Sequence, residues 1–288
     1  MSATALRLIA GGGLSEKFYS HNKRTEEELL RDADLHINRC SFSNLWQEAM
    51  QVPCIPLLQH GFLQETSGMC VEAWFQAAKC KDENAAKFCF ELPSSKHQAQ
   101  FGRGHLPLRW DQVTYFTSLN MPLKKVNVME EYLAEDDSWL ARSHRALMKN
   151  KKQMFDDIKA TNLAYADDTH ISIYVPKLRE DWEEIKNRLM FELQKAKFGT
   201  RGQPTAISSA EGLVAADIVH VTEHAEDRVW GDQITGQGHN RLGKIIAAVL
   251  SHKKELALSD ATPPDLEWSA ELQSQLEQPA DISVVYYD

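Results

Sequence analysis

The sequence predicts a mainly α-helical fold with minor short strands, in a chain of 288 residues. Apolar side chains recur at steps of three and four residues in several segments, which is the spacing of helices with one buried face. Only two segments, 170–175 and 217–222, alternate weakly in the way that strands do. Because 43% of the residues are apolar and 25% are charged, the composition is that of a globular protein with a large core.

The N-terminal half begins with a predicted lead-in, residues 1–17, that contains three consecutive glycines. Thr25 is followed by three glutamates and two leucines, which predicts a capped helix start. Pro53 and Pro56 make the segment 46–63 extended or looped, because a proline disfavours helix at the residue before it. The apolar spacing then predicts three helices, at 71–80, at 82–90 and after Pro93.

The C-terminal half opens with residues 113–180, which contain an acidic patch and a basic stretch but little regular spacing. Residues 183–198 form the clearest predicted helix, since apolar residues line one face of it. Glycines that follow this helix end it. The remaining predictions are a helix at 208–216, a strand at 217–222, a glycine-rich loop, a helix at 240–255, and an acidic tail at 259–288 with a short helix at 266–276.

Charge and cysteine content exclude several classes of protein. The formal net charge is -9 and the pI is about 5.7, so attraction of the whole chain to nucleic acid is not expected. No apolar run approaches the roughly 20 residues of a membrane helix, and the N-terminus lacks the pattern of a secretion signal.

The five cysteines are odd in number and lack metal-binding spacing. They predict a reducing, cytoplasmic setting without a disulfide scaffold, and we expect no bound metal or other cofactor. Each cysteine is expected to be a small core residue, and the alternative for Cys80, beside Lys79, is a lowered thiol pKa.

The densest group of chemically active residue types is the segment 226–244. It places carboxylates, an indole, an arginine and several glycines just before an apolar run. Glycines let a ligand approach the backbone closely, and acidic, basic and aromatic groups beside such a loop suit a sugar, a nucleobase or a phosphate. The alternative interpretation is a surface loop that precedes a helix.

Two carboxylates and one lysine are the candidates for catalysis. Glu72 and Lys79 lie on the polar stripe of the predicted helix 71–80, and Asp227 follows a predicted strand. A carboxylate stabilises the oxocarbenium-like state of bond cleavage at a sugar C1. A lysine in a partly apolar site loses its proton more easily and then attacks an electrophilic carbon. The alternatives are a salt bridge to Lys79 or a solvated position for Glu72, a surface position for Lys79, and a cap or turn role for Asp227.

Further side chains are candidates for substrate binding. Trp182 and Trp230 are suited to stacking on a base or a sugar, and core packing is the alternative for both. Asn44 is suited to ribose hydroxyls or to a turn. The candidates for phosphate contacts are Arg103, Arg228 and the backbone at Gly231.

Four blocks of the sequence resemble, in order, those of the NADAR, or YbiA-like, superfamily. They are Phe42-Ser-Asn-Leu-Trp46, the segment from Val71 to Lys79, Trp182 to Lys186 with Met190 and Lys197-Phe198, and Asp227 to Gly231 with Asn240 to Lys244. The resemblance implies a single helical domain at 18–258. Against this family, residues 113–180 carry an insertion of roughly 60 residues, and long connections of this kind are often functional.

The resemblance implies an N-glycosidase acting on a ribose-phosphate compound, with one pocket for Glu72, Lys79, Trp182, Asp227 and Trp230. The implied substrates are ADP-ribose attached to guanine, in nucleic acid or a nucleotide, and phosphoribosylamino-pyrimidine intermediates of riboflavin synthesis. The implied intermediate is an imine on Lys79 with an opened ribose. Two other classes remain open: a non-catalytic module that binds ADP-ribose or NAD, and an interaction protein that uses the insertion and the tail.

Overall fold

The chain is mainly helical. Our computed structural model describes residues 8–9, 44, 55–65, 70–127, 170–198, 218–219, 229–230, 238–258 and 266–278. Of the described residues 60% are helical and 7% are in strands, which confirms the predicted fold class. The helices predicted after Thr25 and at 208–216 lie outside the described residues, as does most of the glycine-rich loop.

The described elements follow one another in an order dominated by helices. They are β1 (Leu8–Ile9), α1 (Gly61–Glu65), α2 (Val71–Lys79), α3 (Glu83–Glu91), α4 (Ser95–Gly102), α5 (Trp110–Ser118), β2 (Lys124–Asn127), β3 (His170–Ile173), α6 (Trp182–Phe198), β4 (Ile218–Val219), α7 (Arg241–Leu258) and α8 (Ala270–Glu277). None of these helices combines the length and the hydropathy that a bilayer crossing requires.

The chain divides into two compact units. The first unit consists of Met1–Phe75 and Asp181–Asp288, and the second unit is Gln76–Glu180. The division falls inside helix α2, after Phe75. The predicted insertion at 113–180 lies within the second unit.

The first unit is built around helix α6. It packs against α7, and α7 packs in turn against α8 and β4. On the predicted apolar face of α6, Leu189 and Leu193 are fully inaccessible, and so are Ile245 and Ile246 of α7. The short strands β1 and β4 pair in parallel in this unit. The α6 face that the sequence predicts as apolar therefore forms part of the core.

Part of the predicted acidic tail docks on the first unit as helix α8. Arg241 Nε donates to the Leu276 carbonyl oxygen at 3.0 Å. Lys244 Nζ donates at 2.8 Å to the carbonyl oxygens of Gln275 and Gln278. The last carbonyls of a helix have no partner within the helix, so two cations of α7 satisfy the end of α8. The short helix predicted at 266–276 corresponds to α8.

The second unit is organised by aromatic packing. The Phe88 and Phe116 rings lie 4.8 Å apart, and the Phe116 and Tyr174 rings lie 4.7 Å apart, so the cluster joins α3, α5 and the residue after β3. Strand β3 confirms the predicted strand at 170–175, and it pairs antiparallel with β2. Helix α5 and strand β2 were not predicted from the sequence. Strand β2 carries two exposed lysines and therefore lacks an apolar run.

Candidate active site

Glu72 is a buried carboxylate in the first turn of helix α2. Its residue is 7% exposed, so the solvated position considered for it is wrong. A negative charge in the first turn interacts favourably with the helix dipole. The Glu72 backbone N–H donates to the Asn44 carbonyl oxygen at 3.0 Å, which fixes the start of the helix where the carboxylate lies.

The Asn44 side chain is held by helix α6. Gln194 Nε2 donates to Asn44 Oδ1 at 2.6 Å, and Asn44 Nδ2 donates to Met190 Sδ at 3.6 Å. Met190 and Gln194 are one turn apart on α6, so both project from the same side of it. Asn44 therefore connects the start of α2 to helix α6.

The two predicted tryptophans converge on Phe75. The Phe75 and Trp182 rings lie 4.8 Å apart at 61°, and the Phe75 and Trp230 rings lie 5.5 Å apart at 90°. Both are edge-to-face contacts, which aromatic pairs prefer. Phe75 follows Glu72 by one helical turn, so the indoles gather on a residue close to the carboxylate along α2. Trp182 is buried and Trp230 is half-buried.

In the second unit, Lys79 is half-buried at the end of α2. Its Nζ donates to Gln76 Oε1 at 3.3 Å. Gln76 is itself 5% exposed. A Cβ at Gly102 would lie 1.9 Å from Gln76 Oε1, so the missing side chain at Gly102 leaves the space that the carboxamide fills. The structure thus provides a buried acceptor that orients the Lys79 ammonium.

The remaining predicted site residues are placed less specifically. Arg103 is exposed, and its backbone N–H caps α4 by donating to the Ala99 carbonyl oxygen at 3.1 Å. Asp227, Arg228 and Gly231 lie outside the described residues. The described chain thus places Asn44, Glu72, Trp182 and Trp230 in the first unit, where Asn44 contacts Glu72 and both indoles contact Phe75. It places Lys79 and Arg103 in the second unit.

Cys80 is a core residue, as expected, and the alternative of a lowered pKa for its thiol is wrong. Burial raises the pKa of this thiol to about 12, and the opposing effect of the Lys79 charge is smaller. Burial likewise raises the pKa of the Cys70 thiol to about 11. Both thiols are fully buried. At neutral pH they therefore remain protonated and inaccessible, and they pack as core residues.

Three buried residues near the candidate residues of their own units were not selected from the sequence. The sequence predicts Gln194 as a polar position on an amphipathic helix. Only the structure shows that it is 0% exposed. Gln76 belongs to the same polar stripe as Glu72 and Lys79, so its spacing was a usable signal. Lys197 is a buried lysine, 1% exposed, whereas a lysine in the last turn of a helix ordinarily indicates an exposed cation.

Comparison with characterised proteins gives a partial match. An N-glycosidase YbiA from Shigella boydii serotype 4 is 36% identical to the chain over 70 residues, and so is an N-glycosidase YbiA from Escherichia coli strain K12. The similarity confirms the resemblance to the NADAR, or YbiA-like, family. The YbiA-like segment covers 24% of this chain and 41% of each relative, so it spans about two fifths of the length of these proteins. No family model and no solved structure matches the chain.

Proposed function

We propose that the chain is an N-glycosidase. The observation that carries the proposal is the 70-residue similarity to proteins named N-glycosidase YbiA. The site supplies suitable chemistry, because Glu72 is a buried carboxylate one helical turn before Phe75, where two indoles meet. Cleavage of an N-glycosidic bond needs stabilisation of positive charge at the sugar C1, and a carboxylate in a water-poor site provides it.

Glu72 is the group that we assign to this developing charge. In the transition state the bond from C1 to the leaving nitrogen lengthens, and positive charge spreads over C1 and the ring oxygen. A fixed carboxylate interacts more strongly with this charge than with the neutral ground state, so it lowers the barrier. Asn44 holds the helix start that carries Glu72, which limits the reorganisation that the carboxylate undergoes.

The aromatic group is assigned to substrate binding. Trp182 and Trp230 each contact Phe75 edge-on, and in this arrangement one aromatic ring supports both indoles. The half-buried Trp230 is the one suited to stacking on a base or sugar face, since part of it reaches solvent. Trp182 is buried and is suited to holding Phe75 in place.

Lys79 is assigned to nucleophilic attack. Its neutral amine forms a bond to C1 while the base leaves with the electron pair of the N-glycosidic bond. Loss of a proton from nitrogen and opening of the ribose then give an imine, which water hydrolyses to free the lysine and the sugar. The bond to Gln76 Oε1 orients this amine. Lys79 follows Glu72 on one stripe of helix α2.

We assign the substrate to ADP-ribose linked to guanine, in nucleic acid or in a nucleotide. The NADAR resemblance supports this choice, and Arg103, Arg228 and the backbone at Gly231 are the proposed phosphate contacts. Asp227 is the proposed second carboxylate. The riboflavin-pathway N-glycosides are the alternative substrates for the same chemistry.

The test is a panel of N-glycosides. The full chain is incubated separately with ADP-ribosylated guanosine, ADP-ribosylated DNA, NAD and a phosphoribosylamino-pyrimidine. Mass spectrometry detects the released guanosine, unmodified DNA, nicotinamide or amine. Release from the two guanine-linked compounds is the expected result. If only the phosphoribosylamino-pyrimidine is cleaved, the proposed reaction stands and the proposed substrate is wrong. ADP-ribose binding at micromolar concentration without any release identifies a binding module and overturns the proposal.

The lysine route has its own test. Borohydride added during turnover reduces an imine to a stable amine, so it traps a covalent adduct on wild-type protein. Lys79→Ala should give no adduct, and peptide mapping should place the wild-type adduct on Lys79. Turnover without any adduct assigns the reaction to direct hydrolysis, in which Glu72 and a second carboxylate act on water.

A further inference from the structure

Histidines aside, the described part of the chain buries two ionisable side chains of opposite charge. They are Glu72, 7% exposed, and Lys197, 1% exposed. Both belong to the first unit. Burial of an isolated charge is costly, and buried charges in proteins are therefore paired. The described part of the first unit thus buries one anion and one cation.

Helix α6 directs the face that carries Lys197 towards the start of α2. Met190, Gln194 and Lys197 are spaced by four and three residues, so they share one face of α6. The first two residues of this face bond the Asn44 side chain. The Asn44 backbone accepts the Glu72 N–H. The third residue of the same face is thus the cation, one turn beyond the contact that fixes Glu72.

The surroundings of Cys70 and Phe198 are influenced by the charges of Glu72 and Lys197. Cys70 lies two residues before Glu72. The Glu72 carboxylate raises the pKa of its thiol and the Lys197 ammonium lowers it, both as smaller effects beside burial. Both charges are therefore close enough to act on the same buried sulfur. The Lys197 Nζ also lies 5.2 Å from the centre of the Phe198 ring, a distance at which an aromatic face attracts a cation.

We propose that Lys197 is the buried counter-charge of Glu72 and a positioning residue for its carboxylate. The ammonium compensates the negative charge that α2 buries and restricts the orientations of the carboxylate. Its role in catalysis rests on the proposed N-glycosidase function, whereas the charge pairing does not. Lys197 differs in this from Lys79, which is assigned to the reacting atoms.

The pairing is tested without any substrate, by hydrogen exchange of the α6 amides in a double-mutant cycle. The variants are Glu72→Gln and Lys197→Met, which remove charge at nearly constant volume, and the double variant. Each single change removes one charge of the proposed pair, so protection should fall by about a hundredfold. If the two charges were independent, the double variant would lose protection by the product of the two single factors. The expected loss of protection in the double variant is at least tenfold smaller than that product, equivalent to about 1.4 kcal/mol.

Two controls separate charge from packing. Lys197→Arg keeps the charge and should restore most of the protection that Lys197→Met loses. Lys195→Met, two residues away on α6, removes a half-buried lysine that bonds the Leu266 carbonyl oxygen. When Lys195→Met is combined with Glu72→Gln, the loss of protection should equal the product of the two single losses. Independent losses for Glu72→Gln and Lys197→Met overturn the proposal, because Lys197 then pairs with another group or only packs. If both single variants are insoluble, a soluble double variant supports the pairing and an insoluble one contradicts it.

A second readout addresses positioning. On an N-glycoside that the wild type cleaves, Lys197→Met should lower kcat by at least tenfold and change KM less than threefold, because a misplaced carboxylate affects the transition state. Lys197→Arg should recover most of kcat. A lower kcat without recovery by arginine contradicts positioning by charge. If no N-glycoside is cleaved at all, the proposed function fails, while the exchange cycle still decides the pairing.

Discussion

Gly102→Ala should destabilise the protein because it removes the space that the Gln76 carboxamide occupies. An ideal Cβ at position 102 lies 1.9 Å from Gln76 Oε1, 2.6 Å from its Cδ and 3.1 Å from its Cβ. Atoms do not approach this closely, so the side chain has to move. Gln76 is 5% exposed, and it has little room to do so.

The expected cost follows from three contributions. Overpacking a filled interior typically costs about 1–3 kcal/mol. Displacement of Gln76 breaks the bond that its Oε1 accepts from Lys79, which adds about 1 kcal/mol. Replacing a helical glycine by alanine returns up to about 1 kcal/mol. The free energy of unfolding should therefore fall by about 1–3 kcal/mol.

Urea unfolding followed by circular dichroism measures this change, and the chain offers a matched control. A Cβ at Gly61, the first residue of α1, meets no atom within 4 Å, so Gly61→Ala should be neutral or slightly stabilising. In a Gln76→Ala background the cost of Gly102→Ala should largely disappear. Equal stabilities for the two alanine variants, or a cost that persists without the Gln76 carboxamide, would refute the reasoning.

Three further outcomes are expected. Phe75→Ala should lower the free energy of unfolding by about 3–5 kcal/mol and shift the tryptophan emission spectrum, because two indoles pack on this ring; an unchanged spectrum contradicts the contact. The free energy of unfolding should fall as the pH rises from about 9 towards 11. Burial raises the pKa values of Cys70 and Cys80 above their ordinary 9.0, so the unfolded chain loses these protons first. Denaturant titrations should show a shallower fall for a variant that carries both Cys70→Ala and Cys80→Ala. Arg241→Met should cost about 1–3 kcal/mol in the free energy of unfolding, because it leaves the Leu276 carbonyl oxygen without this donor, and faster hydrogen exchange in α8 is the direct readout.

The sequence was sufficient for the long helices. Apolar side chains at steps of three and four predicted α2 and α6, and the structure buries those faces as expected. Helix α5 and strand β2 were not predictable in this way. The apolar partners that bury α5 lie far away in sequence, such as Tyr174 against Phe116. Strand β2 is defined by pairing with β3 across more than forty residues of chain, and such pairing leaves little trace in local spacing.

The candidate site was predictable where chemistry shows in the residue type. Glu72, Trp182 and Trp230 were selected because a carboxylate and indoles on otherwise apolar segments need a reason. In the structure both indoles contact Phe75, which lies one helical turn after the buried Glu72. Lys197 was not selected, because burial of a charge depends on which helices meet. The same limit explains Cys80, whose thiol depends more on burial than on its lysine neighbour.

The most direct test of the N-glycosidase assignment compares wild type with Glu72→Gln on ADP-ribosylated guanosine. Mass spectrometry measures the release of guanosine and ADP-ribose, and calorimetry measures ADP-ribose affinity. Circular dichroism fixes a temperature at which both proteins are folded. Glu183→Gln is the control, since it neutralises an exposed carboxylate on α6. We predict that Glu72→Gln loses at least about a hundredfold in kcat and keeps its affinity within about tenfold, and that the control behaves as wild type. Wild-type turnover by Glu72→Gln would contradict the account.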